Sequence, residues 1–100
     1  MDMLHQGDVL KIEKIKYPVL VVSKDFFNTS GQIIGCPIVR DSIPGPLHIW
    51  MNTGANEGYI QCEKLTLLDM SVRGYKKVDS LPIAEVINVS DAIQGIFEYI

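Results

Sequence analysis

A carboxylate and a guanidinium lie four residues apart in an otherwise apolar stretch of the chain. They are Asp69 and Arg73, in the segment CEKLTLLDMSVRGYKKVD, residues 62–79. A carboxylate can take a proton from a hydroxyl group, and a guanidinium can stabilise negative charge that develops in a reaction. Asp69 and Arg73 are therefore the first pair to suspect of catalysis. A structural ion pair or a capped turn is the alternative interpretation of the same two residues.

Other side chains could complete such a site. Arg40 begins the loop RDSIPGP and is a second source of positive charge, although a solvated turn is the default for adjacent charged residues. Lys16, Tyr17 or His48 could protonate a leaving oxygen, and a hydrogen-bonded surface histidine is the alternative for His48. Asp69 can act as the base only if partial burial raises its pKa.

Lysines around the first two predicted strands form a candidate phosphate-facing patch. They are Lys11, Lys14, Lys16 and Lys24. Solvated lysines that protect an edge strand are the alternative interpretation. The formal net charge of −3 argues against a surface that binds polyanions everywhere. A nucleic acid would therefore have to bind at a local patch of this kind.

Length and composition predict one domain, residues 1–100, because 47% hydrophobic residues suffice for a core without disulfides or metal. Cys36 and Cys62 lack the spacing and the histidine partners of a zinc site, which predicts buried thiols and no metal. The sequence has no apolar run long enough to cross a membrane and begins without a secretory signal. These features predict a cytoplasmic protein.

Short β-type runs separated by turn residues predict a small sheet or barrel. The strands are predicted at residues 9–15, 18–23, 32–39, 47–51, 58–65, 67–70 and 74–78. The second run, PVLVVS, has the continuous apolar character of a strand covered on both faces. Pro37 predicts an edge position or a bulge for the third strand. Residues 24–31 predict a turn with one helical turn, whose two aromatic residues pack on the core.

The last twenty residues change their apolar spacing to three and four, which predicts a single helix. Its apolar face would contain Val86, Val89, Ile93, Ile96, Phe97 and Ile100. Ser80 is the predicted N-cap, and Pro82 lies in the first turn. The alternative is a strand over IAEVINV followed by a shorter helix after Ser90 and Asp91, because β-branched residues lower helix propensity.

The order of these segments resembles the MazF/PemK (Kid-like) family of toxin endoribonucleases. GDVLKIEKI resembles the opening Gly-Asp and first strand of that family, and YPVLVVS resembles its second strand. IIGCPIV resembles the third strand, and EGYIQCEKLTLLDMSVRG resembles a strand pair that leads into an arginine-glycine. The resemblance covers nearly the whole chain. It implies a mainly β fold with a C-terminal helix, a small SH3-like or CcdB-like β-barrel.

The resemblance also implies a function. It predicts the toxin component of a type II toxin–antitoxin system, a metal-independent endoribonuclease (mRNA interferase) that cleaves single-stranded RNA without a cofactor. The predicted partners are single-stranded RNA, a cognate antitoxin peptide in the RNA groove, and a second copy in a homodimer. Such a dimer would bury exposed Trp50, Phe97 and Tyr99.

The site residues follow partly from the resemblance. Asp69 matches the aspartate found in part of the family, and Arg73 matches the arginine before glycine. With Arg40, these are the predicted catalytic residues. The predicted RNA-binding residues are Lys14, Lys16, Tyr17, Lys24 and His48.

The chain departs from the family in three places. The loop that closes over the active site between the first two strands is reduced to the turn IKYP. The arginine expected before the proline of the second strand is Tyr17, and the threonine or serine expected at the end of the third strand is Val39. These losses support a second interpretation, a catalytically degenerate member that dimerises and binds a peptide antitoxin or a nucleic acid.

Overall fold

A computed structural model, which describes residues 3–98, contains seven antiparallel strands and two helices over those residues. The strands are β1 (Asp8–Ile12), β2 (Val19–Val21), β3 (Gln32–Val39), β4 (His48–Asn52), β5 (Glu57–Gln61), β6 (Thr66–Asp69) and β7 (Tyr75–Ser80). The helices are α1 (Asp25–Asn28) and α2 (Ile83–Phe97). The predicted mainly β fold with a C-terminal helix is confirmed.

The strands form one sheet in the order β4-β5-β3-β2-β1-β7, with β6 beside β3. The order leaves β4 and β7 at opposite ends, and side chains connect those ends. Asp79 of β7 accepts hydrogen bonds from Thr53 and, at 3.1 Å, from Asn56 Nδ2, both in the β4–β5 turn. These contacts join the two ends of the open, barrel-like sheet. They also hold the pKa of Asp79 below its usual range, with the bond from Thr53 the larger cause.

Strand β3 is the centre of the sheet. It pairs with β2 on one side, and on the other with β6 through residues 32–35 and with β5 through Ile38 and Val39. Pro37 lies where this second partner changes. Because the Ile38 amide donates to the Pro18 carbonyl at 2.9 Å, the alternation of the ladder directs the Pro37 nitrogen away from β2, towards this change. The predicted edge position of Pro37 is therefore wrong, and the continuous register of β3 with β2 shows no bulge at Pro37 either. The gap between β6 and β5 requires no hydrogen-bond donor at this position.

The strands β1, β2 and β3 lie between two clusters of buried apolar residues, and β2 is buried on both faces, as predicted. Against one face lie α2, β4 and β5, and this cluster includes Val9, Leu20, Cys36, Ile38, Met51, Ile60, Cys62, Val86 and Val89. Against the other lie β6 and the N-terminal segment, in a cluster of Leu4, Leu10, Ile12, Val19, Val21, Ile33, Leu68 and Met70. Both cysteines are buried thiols, as predicted, and burial raises the pKa of Cys36 to about 12 and that of Cys62 to about 11.

Helix α2 is continuous from Ile83 to Phe97, which confirms the single helix and contradicts the strand alternative. The predicted N-cap is wrong, because β7 continues through Ser80 and Pro82 takes the N-cap position. Of the predicted apolar face, Val86 and Val89 are buried, whereas Ile96 and Phe97 are exposed. Ile100 and Tyr99 lie outside the described residues. Within residues 3–98, no helix is long and apolar enough to span a membrane.

The predicted single helical turn between β2 and β3 is present as α1. Its first aromatic residue, Phe26, is 78% exposed, so the prediction that both aromatics pack on the core is wrong. Asn28 is buried instead and satisfies its amide locally. Its Nδ2 donates to the carbonyls of Leu4, at 2.8 Å, and Ser23, at 3.1 Å. The hydrogen bonds of buried Asn28 therefore attach α1 to the rest of the fold, where the sequence had predicted two packed aromatic rings.

Candidate functional site

A groove of about 680 Å³ opens where the end of β3, the start of β2 and the β4–β5 turn meet. Antiparallel pairing creates this meeting point, because β3 ends beside the residues that begin β2. Pro18 and Ile38 belong to the apolar lining. The polar and charged lining residues are Tyr17, Arg40, Asp41, Asn52, Asn56 and Glu57.

The groove contains an ion pair between Arg40 and Glu57. Arg40 Nη2 lies 2.7 Å from Glu57 Oε1, and the two side chains are 72% and 37% exposed. Pairing of Val39 with Tyr59 brings the end of β3 beside the start of β5 and so places the two residues together. Exposed pairs of this kind contribute only about 0–1 kcal/mol. An anionic ligand can therefore displace Glu57 from Arg40 at little cost.

The two positions at which the sequence departs from the expected catalytic residues both line this groove. They are Tyr17, two residues before β2, and Val39, the last residue of β3. The Tyr17 ring is partly exposed, and Lys16 Nζ lies 5.1 Å from its centroid, within range of a cation–π interaction. Val39 offers no hydroxyl group. Arg40 therefore supplies positive charge beside the position where an arginine was expected.

Asp69 lies far from the groove. It pairs with Gln32 at the start of β3, eight residues before Arg40, so that the length of β3 separates it from Arg40 by roughly 26 Å. Its Oδ1 accepts hydrogen bonds from the Ser71 amide at 3.0 Å and the Ser71 hydroxyl at 2.6 Å. These bonds, with a smaller contribution from the charge of Arg73, lower its pKa. The raised pKa required of a base is absent, and the capped turn describes the contacts of Asp69. Its catalytic role stays a prediction.

Arg73 lies in the turn that precedes β7. Together with Lys14 it lines a shallow cavity of about 240 Å³, which also includes Glu13. Lys14 has a φ of +66° in the turn after β1. Lys24 is elsewhere, at the N-cap position of α1. The structure therefore does not bring these three predicted residues to the groove that contains Arg40.

His48 begins β4, four residues from Asn52 at the groove end of that strand, or about 13 Å. Its Nε2 lies 2.7 Å from Glu63 Oε2, and its Nδ1 contacts the Ile43 carbonyl and, at 3.1 Å, Ser42 Oγ. The bond to Ile43, followed by the bond to Glu63, raises its pKa. These contacts describe a hydrogen-bonded histidine outside the groove, and its RNA-binding role stays a prediction.

Sequence reasoning missed Glu57, Asn52 and Asn56 as site residues. Glu57 is seventeen positions after Arg40, and no local spacing connects them. Only the register of β3 with β5 would have indicated the contact. Within residues 3–98, the structure contains no group of three His, Cys, Asp or Glu side chains placed to hold a metal ion.

Comparisons with known proteins agree with this architecture. The family model described as PemK-like, MazF-like toxin of type II toxin-antitoxin system matches residues 7–97, which include the whole groove. No curated protein matches the chain.

Solved structures share the fold at low sequence identity. A MazE–MazF complex from Deinococcus radiodurans (Form-I) gives a TM-score of 0.88 at 16% identity, over 97% of this chain and 98% of the other. An endoribonuclease from a mycobacterial species gives 0.83 at 16% identity, over 97% and 93%. An endoribonuclease in complex with its cognate antitoxin, also from a mycobacterial species, gives 0.81 at 15% identity, over 94% of each chain.

Proposed function

Because this chain belongs to the family of PemK-like, MazF-like toxins of type II toxin–antitoxin systems, we propose that it is an endoribonuclease that cleaves single-stranded RNA at the groove beside Arg40. The observation that carries the proposal is the exposed, weakly held guanidinium of Arg40 within that groove. A guanidinium binds phosphate oxygens through paired hydrogen bonds, which suits it to an RNA backbone.

The proposed reaction is an internal transfer that requires no metal. The ribose 2′-oxygen attacks the adjacent phosphorus, the bond from phosphorus to the 5′-oxygen breaks, and the products are a 2′,3′-cyclic phosphate and a 5′-hydroxyl. Arg40 leaves Glu57 for the phosphate and stabilises the charge that develops on its oxygens. Glu57, released from Arg40, accepts the proton of the 2′-hydroxyl. Tyr17 donates its phenolic proton to the leaving 5′-oxygen.

Two partners and a cellular location belong to the same proposal. An antitoxin peptide occupies the groove and keeps RNA out, as in a pair of toxin and cognate antitoxin. The toxin acts in the cytoplasm as a homodimer. Apolar side chains available to a second copy include Trp50, which is 46% exposed on the end strand β4, and Phe97, which is 72% exposed on α2. Light scattering of the purified chain measures that association.

Primer extension on a long, weakly structured RNA incubated in EDTA tests the activity. Wild-type protein should produce discrete cuts that disappear in Arg40→Ala and persist in Lys64→Ala, a matched removal of one exposed cation from the β5–β6 turn. Circular dichroism checks that both variants are folded. The 5′-hydroxyl end identifies the chemistry.

The second candidate, a groove that binds without cleaving, has its own supporting observation. Both Tyr17 and Val39 line the groove, so neither the arginine nor the hydroxyl expected at those positions is present there. RNA left intact at high excess of folded wild-type protein would overturn the endoribonuclease proposal and favour this binding module. A filter-binding assay with the same RNA would then measure the affinity of the protein for uncleaved RNA.

A further inference from the structure

Two lysines face each other across neighbouring strands of the sheet. Lys11 of β1 pairs directly with Lys76 of β7, and both are exposed. Directly opposite residues place their Cβ atoms about 5 Å apart on one face, and like charges in this position destabilise a sheet. Among the ion pairs within residues 3–98, none includes either lysine, whereas the adjacent Lys77 binds Asp8 at 3.1 Å. An anionic ligand would relieve this repulsion.

The lysine pair lies on the same face of the sheet as the groove. Val9, two positions before Lys11, packs in the cluster that also contains Ile38, and alternation along β1 places Lys11 on that face. Leu10 pairs with Val19, so the next pair along the two strands is Lys11 beside Pro18.

Pro18 connects the lysines to the groove that it lines. In one row across four neighbouring strands lie Ile38, Pro18, Lys11 and Lys76. With about 4.8 Å between strands, the row extends roughly 14 Å from β3 to β7. An RNA strand that leaves the groove over Pro18 therefore meets Lys11 first and Lys76 next.

The charge distribution supports a local anion site on a chain whose net charge is −3. All lysines and arginines except Lys24 and Lys64 belong to β1, β7, the turns beside them or the end of β3. The segment after Val78 contains acidic residues and no lysine or arginine. The positive charge is thus concentrated on β1, β7, the turns beside them and the end of β3, and Lys11 and Lys76 are its members in the row that leads out of the groove.

We propose that Lys11 and Lys76 form a second phosphate-binding site, which holds the backbone of the RNA strand where it leaves the groove. This inference rests on the proposed function, because it assigns a direction to the same RNA. Protection of an edge strand could explain Lys76, since β7 ends the sheet. It does not explain Lys11, because β1 is paired on both sides, with β2 and with β7.

Fluorescence anisotropy with 2′-O-methyl RNA tests the proposal, because this RNA lacks the attacking hydroxyl and cannot be cleaved. Two probes are compared, a dinucleotide that reaches only the groove and a longer oligonucleotide that also reaches the lysines. The variant is Lys11→Gln combined with Lys76→Gln, and Lys64→Gln is the matched control. Titrations at several salt concentrations give the number of phosphate contacts.

The double variant should bind the longer probe about tenfold more weakly, and its slope of log affinity against log salt should fall by about 1.4, or 0.7 for each lost contact. Its affinity for the dinucleotide and the behaviour of Lys64→Gln should not change. An unchanged affinity and slope for the longer probe would overturn the proposal. Because the probe is uncleavable, wild-type binding that depends on these lysines, with no cleavage of natural RNA, would overturn the endoribonuclease proposal while retaining the phosphate site.

Discussion

The two ends of β3 place charged groups in opposite environments. At the start of β3, the Asp69 carboxylate accepts two hydrogen bonds from Ser71, and the side chain of buried Asn28 is also fully bonded. At the end of β3, Arg40 lines a groove and forms an exposed ion pair with Glu57. The contrast shows that a functional site needs groups that the fold brings together without satisfying them internally.

The contrast is tested most directly by removing the groove cation. Arg40→Ala should reduce the rate of RNA cleavage by about 100-fold, because a single group that stabilises transition-state charge typically contributes that much. The free energy of unfolding should change by less than about 1 kcal/mol, since only an exposed ion pair is lost. Cleavage rates and urea denaturation measure the two effects.

Arg40→Lys is the graded control for this experiment. It retains the charge but loses the planar pair of donors, so its rate should lie between those of wild type and Arg40→Ala. If Arg40→Ala cleaved RNA at the wild-type rate, the groove at the end of β3 would not be the site of the reaction.

A second test removes the contacts by which β7 holds the β4–β5 turn beside the groove. Asp79→Ala removes the acceptor that Thr53 and Asn56 share and should lower the free energy of unfolding by about 1–2 kcal/mol at neutral pH, since hydrogen bonds to charged groups are among the stronger ones. RNA affinity should fall as well, because Asn56 lines the groove. Urea denaturation measures the stability, with Asp91→Ala on the exposed side of α2 as control.

The pH dependence of this difference has a definite sign. The pKa of Asp79 is lowered from 3.8 by Thr53 and Asn56, so its stabilising contribution is complete above that value and is lost as the pH falls through the lower folded-state pKa. The stability gap between wild type and Asp79→Ala should therefore narrow in acid. A gap that is constant with pH would contradict a role for the ionised carboxylate.

Much of the fold could be predicted from the sequence because its signals are local. Alternating residues marked β1, continuous apolar residues marked β2, and spacings of three and four marked α2. The environment of Pro37 could not be predicted, since it depends on which strands lie beside β3. Element boundaries were less accurate, as Ser80 shows by ending a strand instead of capping a helix.

The candidate site was predictable only in part. Arg40 and Tyr17 were identified as residues of suitable chemistry, but their meeting depends on the pairing of β2 with β3. Glu57 joins them through the register of β3 with β5, which no spacing encodes. Asp69 and Arg73 were favoured because they are close in sequence. The hydrogen bonds of Ser71 to Asp69 are a property of the folded turn, and they lower the pKa that the proposed chemistry needed to be high.

A smaller effect is expected at the pair of Lys11 and Lys76, where one substitution should change stability and RNA binding in opposite directions. Lys76→Thr removes the like charge opposite Lys11 and should increase the free energy of unfolding by about 0.5 kcal/mol, while RNA binding weakens. Added salt should shrink the gain, because both charges are exposed. Urea denaturation at low and high salt measures it. Lys77→Thr is the matched control and should destabilise, because it leaves buried Asp8 without its ion pair. Destabilisation by Lys76→Thr would contradict the repulsion.

The smallest effect is expected at the other end of β3. Asp69→Asn should leave the rate of RNA cleavage close to that of wild type, because Asp69 lies at the end of β3 opposite the groove. Its amide oxygen can still accept the bonds from Ser71, so the turn should persist. The assay is the same primer extension in EDTA, beside Arg40→Ala. A loss as large as that of Arg40→Ala, in a folded protein, would restore Asp69 as the base. Because roughly 26 Å separates it from Arg40 along β3, such a base would have to reach the groove of a second copy. Mixed dimers of Asp69→Asn and Arg40→Ala would then recover activity.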